Sequence, residues 1–454
     1  MRTKAGRGLR ITGLETEYGC LLNGAGGRAV GQLRDWFFEH HRHGLIDQHD
    51  RGWDEPPGNG GFLFNGGRVY IDMGHLEYCT PECATLQDVV RYDRAGDRLL
   101  LDGIKALGLE GTVSFIRNNI DHHTGATFGC HENYSLPRTA PLSVSHIQSL
   151  IAFLTLRVLF TGSGRVGETP SALDQRKKGK GVDFQISQRA DFVETELYEW
   201  VQHSRAIINT RDEPLADPRL YRRLHLLHGD TNVLPAALYL KVGVTRLVLD
   251  LLDADDLPEV ALADAVNSLR TLSRQVRPPW RVTMEDGTEA DAVELLSRFR
   301  QRAQERFGHR DAETDSVLGL WMRAEQGLMA DPTQLVGLVD WVTKFELLET
   351  FRQRESLAWD APWLESQDLE YHQIDPNRSL GLALADLDGP WGLDLESPLA
   401  LTQPPKDTRA VVRGTLMRQI AESGDSYEID WHRIGYGSAE SVLLLDPFQT
   451  KLGR

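Results

Sequence analysis

Acidic side chains recur in this chain at spacings that suit metal-assisted chemistry on phosphates. Arg68-Val69-Tyr70-Ile71-Asp72-Met73-Gly74-His75-Leu76-Glu77-Tyr78-Cys79-Thr80-Pro81-Glu82 opens as a strand, because Val69, Tyr70 and Ile71 are β-branched or aromatic. Side chains alternate across a sheet, so Arg68, Tyr70 and Asp72 share one face while Val69 and Ile71 face a core. Gly74 ends the strand, and Glu77 and Glu82 are expected in the turn beyond it. Carboxylates gathered at a strand end need a divalent cation or arginines; without either they form a solvated rim. Glu15 and Glu17 stand two apart in LRITGLETEYG, again on one strand face. In Cys130-His131-Glu132-Asn133-Tyr134-Ser135, His131, Asn133 and Ser135 alternate with Glu132 and Tyr134. Imidazole and carboxylate both serve metals and phosphates. Arg211, Arg222 and Arg223 lie in a segment dense in charge, with His225 and Asp230 close by in sequence. Such arginines hold phosphate oxygens through paired N–H donors, or belong to a salt-bridge network.

Together these residue types are what ATP chemistry needs: metals neutralise phosphates, arginines stabilise the transferring group, and a carboxylate serves as base. There is no Gly-x-Ser-x-Gly. The glycine-rich turn at 161–167 lacks the Gly-Lys-Ser/Thr of a phosphate loop. The residues therefore point to a metal-dependent nucleotide enzyme.

The elements that must position these groups follow from periodicity. Strands are expected at 9–19, 68–72, 112–119, 130–135 and 184–189. Helices are expected within 31–45 and at 86–107, 145–161, 237–253, 258–275, 290–305, 314–329 and 333–353. From about 370, Asp, Pro and Gly become more frequent, and a helix at 408–421 precedes strands at 427–433 and 440–446. This divides the chain into a catalytic domain, 1–370, and a small C-terminal domain of mixed α/β type, 371–454.

Composition sets the limits. The net charge of −16 argues against nucleic acid and against an anionic membrane surface. No run of about 18 apolar residues predicts a transmembrane helix, and the basic N-terminus lacks an apolar signal core, so a cytoplasmic protein is expected. Cysteines at 20, 79, 83 and 130 are too few and scattered for a disulfide framework and are expected to be reduced. Arg176–Lys180 forms a basic patch, expected to be a solvated loop, and His122 and His123 are expected in solvent.

Longer motifs carry a family likeness. GLETEYG (13–19), NGGRVYIDMGHLEYCTPE (65–82), FGCHENYS (128–135), TGSGRVG (161–167), SQRADF (187–192), INTRDEP (208–214), YRRLHLLHGDTN (221–232), PPKDTRAVVRG (404–414) and DPF (446–448) run in order along almost the whole chain. In these the chain resembles the Pup ligase and depupylase family (PafA and Dop), relatives of glutamine synthetase and other carboxylate-amine ligases. The resemblance implies an α+β fold, with a curved antiparallel sheet of glutamine synthetase-like type cradling ATP and Mg2+, backed by helices. It implies that Glu15, Glu17, Tyr70, Glu77 and His131 surround the metal ions and that Asp72 is catalytic. Arg211, Arg223, Arg409 and Arg413 would handle phosphates or the activated carboxylate, and Trp431 would pack near the adenine.

Two activities occur in that family. One joins the C-terminal glutamate of Pup, or a similar small modifier, to a protein lysine through an acyl phosphate; the other hydrolyses that bond or deamidates a C-terminal glutamine. GLETEYG, the cysteine of GCHENY, the C-terminal segment and the short stretch 20–64, which has no room for the depupylase insertion, favour the ligase. TGSGRVG and FQISQRADFVETE lean towards the depupylase. The ligase is the leading expectation, with the hydrolase or a small-molecule carboxylate-amine ligase as alternatives. Leu215 stands where the family has His, and Leu76 where it has Pro.

Overall fold

The computed structural model describes residues 9–23, 28–49, 56–122, 125–167, 182–200, 204–437 and 441–452. The expected basic patch at 176–180 and His123 lie outside these residues.

The strands are β1 (Thr12–Leu22), β2 (Gly44–Ile46), β3 (Gly60–Leu63), β4 (Arg68–Asp72), β5 (His75–Cys79), β6 (Val113–Ile116) and β7 (Cys130–Pro137). They continue with the short pair β8 (Arg165–Val166) and β9 (Phe184–Gln185), then β10 (Thr195–Tyr198), β11 (Ala206–Asn209) and β12 (Tyr221–Leu226). The largest sheet among the described residues runs β10-β11-β12-β7-β1-β5-β4-β3-β2, with β6 also on β1. Its pairings are antiparallel except β10 with β11.

β1 is the hub because it is long enough to serve three partners. Its first half pairs with β5 on one side and β7 on the other, and its second half turns to β6. Leu14 and Tyr18 face the cores, while Gly13, Glu15 and Glu17 look the other way. The helix Leu86–Ala106, capped by the Thr85 hydroxyl on the Asp88 N–H, packs on this sheet, and Gly96 lies where any side chain would strike the Tyr78 ring. The nearly all-buried helix Pro235–Asp253 backs it further.

Val144–Thr161 is long and apolar enough to span a bilayer, but 72% of it is buried inside the fold, where Phe153, Leu154 and Phe160 join the main core. The four cysteines form no disulfide with one another. A separate apolar cluster joins Val412, Leu416 and Met417 of the helix Ala410–Ser423 to Leu45 and Phe62 of β2 and β3. Ile374, Trp391 and Ala400 still belong to the two larger cores.

Several expectations change. The helix expected at 258–275 spans only Ala265–Ser273, and the one expected at 333–353 is a 3-10 turn, Pro332–Leu335, followed by the helix Asp340–Arg354. Glu77 lies in β5, since Met73 and Gly74 close a two-residue hairpin and the chain re-enters the sheet at His75. The strand at 184–189 stops at Gln185 because the Asp230 carboxylate captures the backbone N–H of Gln188 and Arg189 and the hydroxyl of Ser187. His122 is mostly covered, with Nε2 3.7 Å from Asp368.

Candidate active site

Cross-strand register assembles the site. Glu17 stands opposite Glu77, and Glu77 opposite Tyr70, so one row crosses β1, β5 and β4. The next row runs His131, Glu15, Cys79 and Arg68 across β7, β1, β5 and β4. Asn133 and His225 are opposed on β7 and β12. Directly opposed residues on one face have Cβ atoms about 4.5–5.5 Å apart, so register alone gathers groups far apart in sequence.

Two clusters result. Glu17, Asp72 and Glu77 place their carboxylates within 4.8 Å of one another, and so do the donor atoms of Glu15, His131 and His225. Gly129 borders both, since a Cβ there would sit 2.6 Å from Glu17 Oε1 and 2.8 Å from His131 Nε2. The fold leaves that space open.

The clusters differ electrostatically. Burial would push Glu15 up, but the imidazoles of His131 and His225 overturn this and hold it well below the usual carboxylate range. His131 Nδ1 lies 3.0 Å from Glu15 Oε2, and Asn133 Nδ2 donates to Oε1 at 2.8 Å. Glu77 is pushed well above that range by burial and by the charges of Glu15, Glu17 and Asp72, against the hydrogen bond donated by Tyr70 Oη at 2.5 Å. His225 is held down at about 4 by burial and the Arg223 charge. Its Nε2 is buried and faces Glu15 Oε2 at 3.8 Å, longer than an ordinary hydrogen bond. The three carboxylates offer the oxygen donors that a hard cation takes, and the second cluster adds imidazole nitrogens, so both could hold a divalent ion.

Beside these clusters lies a cavity of about 700 Å³ lined by Glu15, Arg68, Tyr70, Thr80, Arg211, Leu215, Arg222, Arg223, Arg409 and Trp431, among others. Its size suits a small-molecule ligand (roughly 300–1,000 Å³). The Arg68 guanidinium lies 4.3 Å from the Tyr70 ring centroid. Arg223 Nε donates to Asn133 Oδ1 at 2.8 Å, and Arg211 is exposed beside Glu213. Trp431 packs edge-on against Phe62 at 5.1 Å.

Arg413 departs from the expectation. It is fully buried, absent from the cavity wall, and donates to both oxygens of Glu82 and to the carbonyls of Gly66 and Trp431. A guanidinium so committed braces the Trp431 segment and does not reach a phosphate in this conformation. Arg409 reaches the cavity wall, but it too donates to Glu82, at 2.7 Å, and to the carbonyls of Leu215 and Leu444. Glu82 is thus a buried brace. Burial opposes its charge, but the two guanidinium groups prevail and lower it to about 2.

Glu132 also leaves the site. Alternation turns it to the core side of β7, where Arg157 holds it at 2.6 Å. Leu76 lies in a core cluster, so that departure from the family pattern removes nothing from the site. Leu215 lines the cavity with a left-handed backbone, φ 47°. His225, Thr80 and Asn133 were not assigned roles from sequence. For His225 a signal existed: in β12 it shares parity with Tyr221 and Arg223, the same alternation that flagged Glu15 and Glu17.

A family model described as Pup-ligase protein matches residues 10–435. The chain belongs to the Pup-ligase family. The Pup–protein ligase of Acidimicrobium ferrooxidans is 34% identical over 462 residues, covering 97% of this chain and 96% of that relative. The depupylase of Acidothermus cellulolyticus is 38% identical over 404 residues, covering 85% of this chain and 78% of that relative. The crystal structure of Pup with its ligase PafA matches with a TM-score of 0.82 at 31% identity, covering 99% of this chain and 91% of that one. PafA in complex with ADP matches at 0.75 and 33% identity, covering 87% and 88%. The α+β fold expected from the motifs, with its large, mainly antiparallel sheet and helical backing, is the fold of this Pup-ligase family member.

Proposed function

We propose that this chain is an ATP-dependent ligase joining the side-chain carboxylate of the C-terminal glutamate of Pup, or a Pup-like modifier, to a protein lysine. The observation that carries this reading is Asp72 at the end of β4, its carboxylate within 4.8 Å of those of Glu17 and Glu77, beside an arginine-lined cavity. In this reading Arg68, Thr80, Arg211, Arg223 and Arg409 bind the nucleotide or the activated carboxylate, Trp431 lies along the base, and Arg413 keeps Trp431 in place. Glu15, Glu17, Tyr70, Glu77 and His131, with His225, would hold Mg2+. Bound there, magnesium supplies positive charge to offset the phosphates. The modifier carboxylate attacks the γ-phosphorus of ATP, forming an O–P bond as the bond to ADP breaks. The lysine Nζ then bonds to the acyl carbon, the carbon–oxygen bond to phosphate breaks, phosphate leaves with the electron pair, and Asp72 takes the Nζ proton.

The division of labour proposed is a catalytic sheet within 1–370 and a cover over the nucleotide from 371–454. Four cysteines without a disulfide and a net charge of −16 support a cytoplasmic enzyme that binds neither nucleic acid nor membrane.

One observation favours a second reading. Identity to the depupylase, 38%, exceeds that to the ligase, 34%, although the ligase match spans more of both chains. In a hydrolase Asp72 would act as nucleophile or water activator. The purified protein with ATP, magnesium, Pup ending in glutamate and a lysine-bearing acceptor should form conjugates. Failure to form them together with cleavage of preformed conjugate would establish the hydrolase instead.

A further inference from the structure

The β4–β5 hairpin is closed by Met73 and Gly74, with Asp72 paired directly to His75. Both turn residues have positive φ, 45° and 92°. A two-residue hairpin loop of this kind selects Asn-Gly, Asp-Gly or Gly-Gly, because an ordinary side chain is disfavoured in the left-handed region. Methionine at its first position is a poor choice for the turn. It is also a poor choice for the surface: Met73 is 82% exposed, more than any other large apolar side chain among the described residues. Local stability explains neither property, and strained positions of this kind cluster where a ligand is met.

The surroundings name the ligand. Met73 is the residue next to Asp72, and Asp72 belongs to a carboxylate cluster with Glu17 and Glu77. Across the hairpin tip, the His75 ring meets the Phe128 ring edge-on at 4.7 Å, and His75 Nδ1 lies 3.9 Å from Glu17. An exposed, flexible thioether on the residue next to an acidic cluster matches a four-carbon stem ending in an ammonium. Thioethers repack around varied surfaces, which suits an enzyme meeting many acceptor proteins.

Resting on the ligase reading, we propose that Met73 is the acceptor-side specificity residue, packing on the methylene stem of the incoming lysine and guiding Nζ to Asp72. The test compares two nucleophiles on one acyl phosphate. Nα-acetyl-lysine carries the stem; hydroxylamine has none, and attacks the same carbon to give a hydroxamate as phosphate leaves. With Pup ending in glutamate, ATP and magnesium, kcat/KM for each nucleophile is measured in wild type, Met73→Asn and Met73→Leu. The ratio of the lysine value to the hydroxylamine value is expected to fall about tenfold in Met73→Asn, the size of a lost apolar contact, and to stay near wild type in Met73→Leu. Asn suits the turn, so the melting temperature of Met73→Asn should equal or exceed that of wild type while the ratio falls. A merely structural role would move stability and both nucleophiles together. An unchanged ratio in Met73→Asn overturns the inference and leaves the ligase reading standing. A wild-type protein making neither product overturns the ligase reading, and the role of Met73 with it.

Discussion

Glu77 and Glu82 are five residues apart in the sequence. Both carboxylates are buried, yet the fold treats them oppositely. Glu82 lies between Arg409 and Arg413, which lower it to about 2. Glu77 is desolvated in the company of Glu15, Glu17 and Asp72, which push it up. A carboxylate that only holds the fold together is neutralised by the protein's own cations. One whose neighbours are acids is costly to charge, the condition that the proposed cation site would relieve.

The largest effect expected at the acidic end is chemical. Asp72→Asn should lower the conjugation rate by about 10²–10⁴-fold, the scale of a lost general base, while ADP affinity by calorimetry stays within about threefold. Near-normal turnover in that variant would remove Asp72 from the mechanism. At the braced end the largest effect is on folding. Glu82→Ala leaves Arg409 and Arg413 buried without their counter-charge and should cost about 3–5 kcal/mol in urea unfolding. A loss below about 1 kcal/mol would erase the contrast drawn with Glu77.

Acid should expose the same difference. Glu82 and Glu132 both titrate at about 2 in the folded protein, against about 4.3 in an unfolded chain. A depressed carboxylate stabilises fully above its unfolded value, so this contribution is present above about pH 4.5 and disappears as pH falls towards 2. Each group accounts for about 3 kcal/mol. Urea midpoints measured in chelator from pH 5 to 2.5 should fall steeply in wild type and less so in Glu82→Gln. The smallest effect has the opposite sign. Without divalent cations Glu77→Gln should stabilise the fold by about 0.2–1 kcal/mol, because it removes one of two opposed like charges. Added magnesium should raise the melting temperature of wild type and leave that of the variant unchanged. Destabilisation in chelator would mean that Glu77 is a structural carboxylate after all.

Much of the site was legible because strand parity is local. Alternation put Glu15 with Glu17, and Arg68 with Tyr70 and Asp72, on common faces before any fold was known. Parity also separates Glu132 from His131 and Asn133. What it cannot say is which face meets the cavity and which meets a buried arginine such as Arg157. Arg413 shows the same limit, since a phosphate-binding arginine and one committed to Glu82 look alike in sequence. Gly74 looks like a break in the sequence and so puts Glu77 in a turn, whereas it is half of a hairpin loop that returns Glu77 to the sheet.

By itself, then, the sequence determined the strands, the helical backing, the family and most of the acids, since these follow from short-range periodicity and from long motifs. Tertiary structure alone decided which acids confront each other and which meet arginines. Register brings Glu17 opposite Glu77, and a helix more than three hundred residues downstream delivers Arg413 to Glu82. Whether a buried carboxylate is a brace or a site depends on that company, because at short range in a poorly solvated interior the sign of the neighbouring charge outweighs the intrinsic acidity of the group.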